Sequence, residues 1–356
     1  MTKRQLMYLG CAALMAATGL GAAAPAPAEV THHLTHFVRA GQSIQAAVDA
    51  ALPGDTVTIA PGTYHQSVVI KKHNLTLRGT GGRTVLKPAA ASSKNACAKS
   101  GNGICVLGTR AQPVKGVRIQ SLTLSGYKKS GIWATGTDRL TVQRVYSESN
   151  KVWGIAQEWS TRSVLTHNIA RKNGDAGIFV ANTVTLEAGA TDTGGTVVGH
   201  NLLFDNRIGA TIRRVRNLTV QYNSISANCA GVFVVGDESK PRAGDLTVRG
   251  NRISSNNKYC KATARLPQIQ GTGLVLTGAE DTLVDANLVW DNVGKYPLSG
   301  GIVLFKSFVG AANTGNVIRG NVVLRNGPAD LANRDVGTGN QWTANMCRVS
   351  QPAGMC

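Results

Sequence analysis

Acidic residues and aromatic rings are scarce in this chain. Of its 356 residues only 19 are Asp or Glu, against 38 Lys or Arg, and Phe, Trp and Tyr together make up 5%. Gly is abundant at 41, and the recurring polar residues are Asn, Thr and Ser. That palette suits many short strands and tight turns, not long helices. The length exceeds what most single hydrophobic cores fill, so the chain is either two domains or an elongated repeat, and the composition favours the repeat. No Cys-x-x-Cys spacing occurs, which argues against a structural zinc site. Beyond the N-terminal segment no run is long and apolar enough to span a bilayer. The basic residues are scattered and carry no nucleic-acid-binding motif, so no specific nucleic-acid partner is expected.

The first residues read as an export signal. Lys3 and Arg4 supply the positive end, an apolar run from Leu6 to Ala24 follows, and Ala26-Pro27-Ala28 offers a small-x-small cleavage pattern. Residues 1–28 are therefore expected to be removed and the protein secreted. A lipoprotein start at Leu9-Gly10-Cys11 is the rival, with fewer apolar residues before the cysteine. Cleavage leaves Cys97, Cys105, Cys229, Cys260, Cys347 and Cys356. An even count in an exported chain points to disulfides, most simply between sequence neighbours, although other connectivities and free thiols are open. The formal charge of +19 falls to 19 − 2 = +17 without Lys3 and Arg4. Such a surplus attracts polyanions, and outside a cell an acidic polysaccharide or cell-wall glycan is the expected partner. His32, His33 and His36 are read as part of a disordered basic N-terminus.

Self-comparison gives the architecture. Asn pairs five positions apart recur at Asn168 and Asn173, Asn201 and Asn206, Asn223 and Asn228, Asn251 and Asn256, Asn287 and Asn292, and Asn321 and Asn326. Successive pairs are separated by 33, 22, 28, 36 and 34 residues, which is a coil of about 22 with loops inserted. Apolar strands led by Gly begin at Gly131, Gly154, Gly177, Gly209, Gly231, Gly273 and Gly301. One coil is then three short strands and three bends, with Ile, Val and Leu facing inward. Asn at a tight bend tolerates left-handed backbone and can bond its counterpart one coil away.

This unit resembles the right-handed parallel β-helix family that includes the pectate lyases, over nearly all of the mature chain. The expected fold is an all-β solenoid with an N-terminal capping helix and a disulfide-bonded C-terminal tail. Residues 29–70 would be the cap and first coil, 71–326 the repeat coils, and 327–356 the C-terminal cap. The segment from Ala40 to Ala51 resembles the family's capping helix, with Ser43 as N-cap and Pro53-Gly54 as the stop, and Thr56 to Tyr64 resembles its first strand and turn. Gly337 to Trp342, followed by Cys347 and Cys356, resembles its tail. Both ends need covers because an open coil exposes apolar side chains and unpaired strand edges.

The resemblance places substrate along the Gly-led sheet, flanked by loops. Long insertions fall at 183–196, 236–244, 257–272 and 306–315. With period two, the second and fourth residues after each Gly point outward. Trp133, Phe179 and Phe233 thereby form an aromatic strip, joined at its edges by Trp159 and Lys306, as the expected substrate-binding set. Aromatic faces stack on sugars and arginines pair with uronate carboxylates. A polysaccharide lyase needs a base and a group that neutralises the substrate carboxylate, so Arg213, Arg214 and Glu158 are the expected catalytic residues. Asp237, Glu238 and Glu280 lie close enough in the coil register to share an oxygen-lined Ca²⁺ site, and no organic cofactor is expected.

Known signatures are absent. The polygalacturonase pattern Asn-Thr-Asp, Asp-Asp, Gly-His-Gly, Arg-Ile-Lys, the Asp-Pro-His-Asp of mannuronan epimerases and the Arg-x-Pro-x-x-Arg of pectate lyases do not occur. Two readings stand: a secreted, monomeric polysaccharide lyase acting by β-elimination, or a non-catalytic β-helix that binds wall or surface glycan.

Overall fold

Apolar residues alternating with polar ones in runs of three to six residues cannot bury their inner face alone, and in this protein each run finds its cover one coil away. The computed structural model describes residues 33–356 apart from positions 187 and 265, so the proposed signal at 1–28 lies outside the described residues. Among these residues the strands form three long sheets of 12, 10 and 11 strands and one short pair, and successive coils of each sheet pair in parallel. The first sheet runs from Thr35–Val38 to Gln341–Thr343, the second from Gly62–His65 to Val322–Leu324, and the third, which holds the Gly-led strands, from Val68–Ile70 to Ser350–Gln351. In the first sheet Leu165, Val198, Val220, Val248, Val284 and Ile318 stack in register, each buried. Each such side chain contributes about 1.5–3 kcal/mol relative to solvent. The core is thus a column, renewed at every coil.

The bends carry the polar half of the design. Between the first and second sheets the coils from His167 onward turn on one left-handed residue followed by Asn, as at His167, His200 and Tyr222, whereas at Ser121 and Arg144 the residue that follows is Leu122 or Val145. The left-handed residue is therefore the one before each Asn, not the Asn itself. That frees the Asn to turn its amide inward, where it is buried. Asn168, Asn201, Asn223, Asn251, Asn287, Asn321 and Asn345 form one ladder, each amide donating to the next Oδ1 at 2.9–3.0 Å. A second ladder runs from Asn150 through Asn173, Asn206, Asn228, Asn256 and Asn292 to Asn326. The backbone N–H of each rung bonds the same oxygen, so the buried amides of the two ladders are paired.

The N-terminal cover is helix Ile44–Ala50, whose N-cap Ser43 accepts from Ala46 N at 3.1 Å. Ile44 and Val48 point into the column. A strand at Thr35–Val38 precedes the expected first strand and pairs with Thr56–Ile59. His36, read above as part of a disordered tail, lies in that strand and bonds Asp55 at 2.8 Å. Asp55 also accepts from Leu34 N and Leu52 N, both at 2.8 Å. The His36 bond first, then the two backbone donors, draw its carboxyl from 3.8 down to about 2. A carboxyl depressed in the folded state stabilises above its unfolded pKa, and that contribution disappears as pH falls from about 4 through about 2. In Asp55→Asn, denaturant titrations should show a less stable protein at pH 7 and a shallower acid limb. An acid limb as steep as the parent's would remove Asp55 from this account.

At the other end the coils continue past Asn326, the expected limit, through Gln341–Thr343 and Ser350–Gln351. Asp330 closes the second ladder: Oδ1 accepts from Asn326 at 2.9 and 3.1 Å, and Oδ2 accepts from the N–H groups of Arg348 and Val349. Three disulfides join the cysteines in sequence order, Cys97–Cys105, Cys229–Cys260 and Cys347–Cys356.

Candidate functional site

The outward face of the third sheet is not an open groove over most of its length. Its loops fold back on it and build a second apolar cluster from Ala156, Phe179, Phe233, Val275 and Val303, covered by Val184, Leu266, Ile269 and Leu298. Phe233 is 1% exposed and Phe179 5%, so neither ring offers a face to a sugar. The aromatic residues expected to bind substrate there are mostly the floor under the loops, because an apolar sheet face this large is stable only when covered.

The charged residues expected to do chemistry hold these loops in place. Arg213 donates to the carbonyl of Thr183 at 2.8 Å. Arg214 is buried in an ion pair with Asp237, whose Oδ1 accepts from Ser239 N. Glu158 accepts from Val184 N at 2.8 Å and from Thr135 Oγ1 at 3.3 Å, fastening the start of the same loop. Glu280 pairs with Arg216 at 2.5 Å and lies 3.8 Å from Arg242, while Glu238 is exposed. Of the three carboxylates expected to share Ca²⁺, Asp237 and Glu280 are thus engaged with different arginines and Glu238 faces solvent, and among the described residues no three His, Cys, Asp or Glu side chains gather as a metal site would require. These residues do not fit the ion. Trp159 is half-buried in left-handed backbone at the end of its strand, and exposed Lys306 begins the loop after Phe305.

What remains accessible lies at the incoming edge of the sheet, where Trp153 stands just before Gly154 and Asp175 and Arg207 stand two residues before Gly177 and Gly209. Trp153 stacks between Trp133, with centroids 5.9 Å apart, and Phe179, at 4.5 Å. Both tryptophans are half-buried, and the hidden Phe179 ring backs Trp153. The Trp153 indole N–H donates to Asp175 Oδ2 at 2.9 Å. Asp175 and Arg207 occupy equivalent places in successive coils, since Arg207 N donates to Asp175 O at 3.0 Å. Burial pushes the Asp175 carboxyl above its ordinary range, against the opposing pull of the indole N–H and of Arg207. Burial likewise lowers the Arg207 guanidinium, offset in part by Asp175. Arg207 gives Nη1 to the carbonyl of Lys261 at 2.9 Å, and its buried Nη2 has no hydrogen-bond partner. Beside it opens a cleft of about 400 Å³ lined by Lys172, Arg207 and Lys258, with Asp205 and Cys260. The Cys229–Cys260 disulfide ties its wall to the coil. Trp133 belonged to the sequence expectation; Trp153, Asp175 and Arg207 did not.

Three parallel sheets wound in one continuous coil with loops gathered over one of them make this a right-handed parallel β-helix protein of the pectate-lyase-like fold. The family described as right handed beta helix region matches residues 90–243. Among solved structures, the A-module of the Azotobacter vinelandii mannuronan C-5 epimerase AlgE6 is similar at 16% identity and TM-score 0.57, covering 86% of this chain and 90% of that one. DFA-IIIase from Arthrobacter chlorophenolicus A6 without its lid shares 13% identity at TM-score 0.59, with 86% and 94% covered. The periplasmic alginate epimerase AlgG shares 13% identity at TM-score 0.55, with 87% and 83% covered. At these identities the likeness is one of fold. No curated protein matches the chain significantly in sequence.

Proposed function

We propose that this is an extracellular carbohydrate-active β-helix protein that binds a uronate-containing polysaccharide across the Trp133–Trp153 shelf and the adjoining Lys172, Arg207 and Lys258 cleft. The observation that carries the reading is a half-buried aromatic stack whose outer ring is Trp133, backed by Trp153 and set beside Asp175 and a cationic cleft, since stacking on a sugar ring and pairing with a carboxylate are the two interactions such a polymer offers. Three disulfides suit an oxidising compartment, and among the described residues no helix is long and apolar enough to cross a membrane. Two of the similar folds are named for mannuronan and alginate, both uronate polymers.

A second reading, β-elimination, is favoured by the raised Asp175 carboxyl beside Arg207. Asp175 would take the proton next to the uronate carboxylate while Arg207 neutralises that carboxylate. The bond to the 4-oxygen breaks as the new double bond forms, and the leaving oxygen takes up a proton.

The test is calorimetric titration with pectate, alginate and glycosaminoglycan oligosaccharides, with and without calcium, together with the absorbance of newly formed unsaturated uronate. Trp153→Ala should weaken binding at least tenfold, and unchanged binding would overturn the shelf. If product forms, Asp175→Asn should lower kcat at least 100-fold with little change in KM. Binding without product in any arm leaves the protein a glycan binder and removes the lyase.

A further inference from the structure

We propose that the corner between the first and second sheets is a second binding surface, for a linear acidic polysaccharide lying parallel to the solenoid axis. This corner is remote from the loops of the third sheet, and nothing in the shelf reading requires it.

Its charge is one-sided. Across eight successive coils the corner consists of 56–60, 76–84, 118–123, 141–146, 164–169, 197–202, 219–224 and 247–252, and none of these segments contains Asp or Glu. Arg78, Arg144 and Arg249 are exposed along it. The first acid at the corner is Asp285, one coil further on, and it is matched by Arg319 at 3.3 Å. A protein with twice as many basic as acidic residues would scatter some acids here by chance; instead the corner excludes them for about 30 Å, counting coils of about 4.8 Å from Arg78 to Arg249.

Its side chains are also ordered. Left-handed backbone at His167, His200 and Tyr222 places all three at the same point of successive bends. Their exposed rings stack at 5.1 and 5.2 Å, and the Arg249 guanidinium lies 5.8 Å from the centroid of the Tyr222 ring. No loop is inserted at these bends, so the ridge is bare. Toward the N-terminus, where Arg144, Ser121 and Gly79 take the place of the rings, it drops into a hollow of about 560 Å³ lined by Arg78, Arg144, Tyr146 and His167.

The stacking decides between polyanions. Because the rings cover one another's faces, they turn edges, with N–H and O–H donors, toward solvent. A single-stranded nucleic acid gains most from a run of free aromatic faces on which its bases stack, and along the His167, His200 and Tyr222 row these are largely taken, leaving the exposed Tyr146 as a single ring outside it. A polymer with a carboxylate or sulfate on each sugar needs the opposite, a row of cations and donors at a regular step. An acidic polysaccharide fits.

The experiment compares two variants of the full mature protein in titrations with an oligogalacturonate long enough to span the corner. Arg78→Gln/Arg144→Gln/Arg249→Gln alters only exposed side chains, and circular dichroism checks that the fold is kept. It should lose one class of sites, at least tenfold weaker, with a shallower salt dependence, while Trp153→Ala keeps that class. An isotherm identical to the parent's in the triple variant would overturn the second surface and leave the shelf standing; loss only in the triple variant would overturn the shelf instead. Poly(dT) and phosphatidylglycerol vesicles are the competing probes. Tighter binding of either at the corner than of the oligogalacturonate would overturn the assignment to polysaccharide.

Discussion

Asn201→Ala is expected to cost about 4 kcal/mol or more, read as a large fall in the urea midpoint followed by far-ultraviolet circular dichroism. Four bonds meet at this buried amide: Oδ1 accepts from Asn168 N and Asn168 Nδ2, and Nδ2 donates to Asn223 Oδ1 and to Leu165 O. Truncation takes a partner from donors and acceptors of the two neighbouring coils, Asn168 and Leu165 in one and Asn223 in the other, where water is excluded, each at about 1–3 kcal/mol and less than additively. Asn201→Asp should be worse at neutral pH, because a carboxylate would face Asn223 Oδ1 and Leu165 O with no hydrogen to give. Since a solenoid's stability is a sum of coil and interface contributions, the variant's transition should also broaden or split at this rung. A loss below about 1 kcal/mol would show that the ladder is ornamental to stability.

Asp237→Ala should be nearly as damaging, at about 3–5 kcal/mol, because it removes the carboxylate from a guanidinium that is itself buried. The double variant Arg214→Met/Asp237→Leu should recover most of the loss, since two apolar side chains of similar bulk need no mutual compensation. A thermodynamic cycle of single and double variants measures the coupling. Equal losses in the single and double variants would mean that the pair contributes through packing alone. Either way the glycan affinity of the shelf should be retained in the double variant, because Arg214 and Asp237 lie at the outgoing end of the third sheet and the shelf at the incoming one.

Much of this architecture was legible because it rests on short-range patterns that recur. Asn pairs at a fixed separation and Gly before each apolar run are visible without any coordinates, and the structure places each where a bend or a close approach between coils demands it. Gly177 shows why: a Cβ there would lie 2.8 Å from the carbonyl oxygen of Gly209 one coil on. The site was less legible because period-two reasoning says which way a side chain points and not what later covers it. Phe233 does point outward, yet loop residues Leu266 and Ile269 join the cluster above it. Arg213 and Glu158 sit on the expected face but serve backbone groups of a loop whose path the strand pattern does not encode. The signal for the charged partners of the shelf was available two residues before Gly, where Val152, Asp175, Arg207 and Cys229 align, and for Trp153 just before Gly154, whereas the strand-centred reading began at Gly. His36 was misread for a similar reason, as its partner Asp55 is 19 positions away and appears only when the first coil closes.

The two Asn ladders also have a direction. Each rung gives its backbone N–H and an amide hydrogen to the Asn of the following coil, while its amide also reaches back to the preceding coil, as Asn201 Nδ2 does to Leu165 O, so at any stage of assembly from the N-terminus the ladder donors left waiting are on the newest coil. A chain emerging N-terminus first therefore carries its own template, each completed turn offering two amides to the next. Asp330, which only accepts, ends the second series. Length could then change by inserting or deleting whole coils upstream of Asp330, and a partial coil would leave both series out of step.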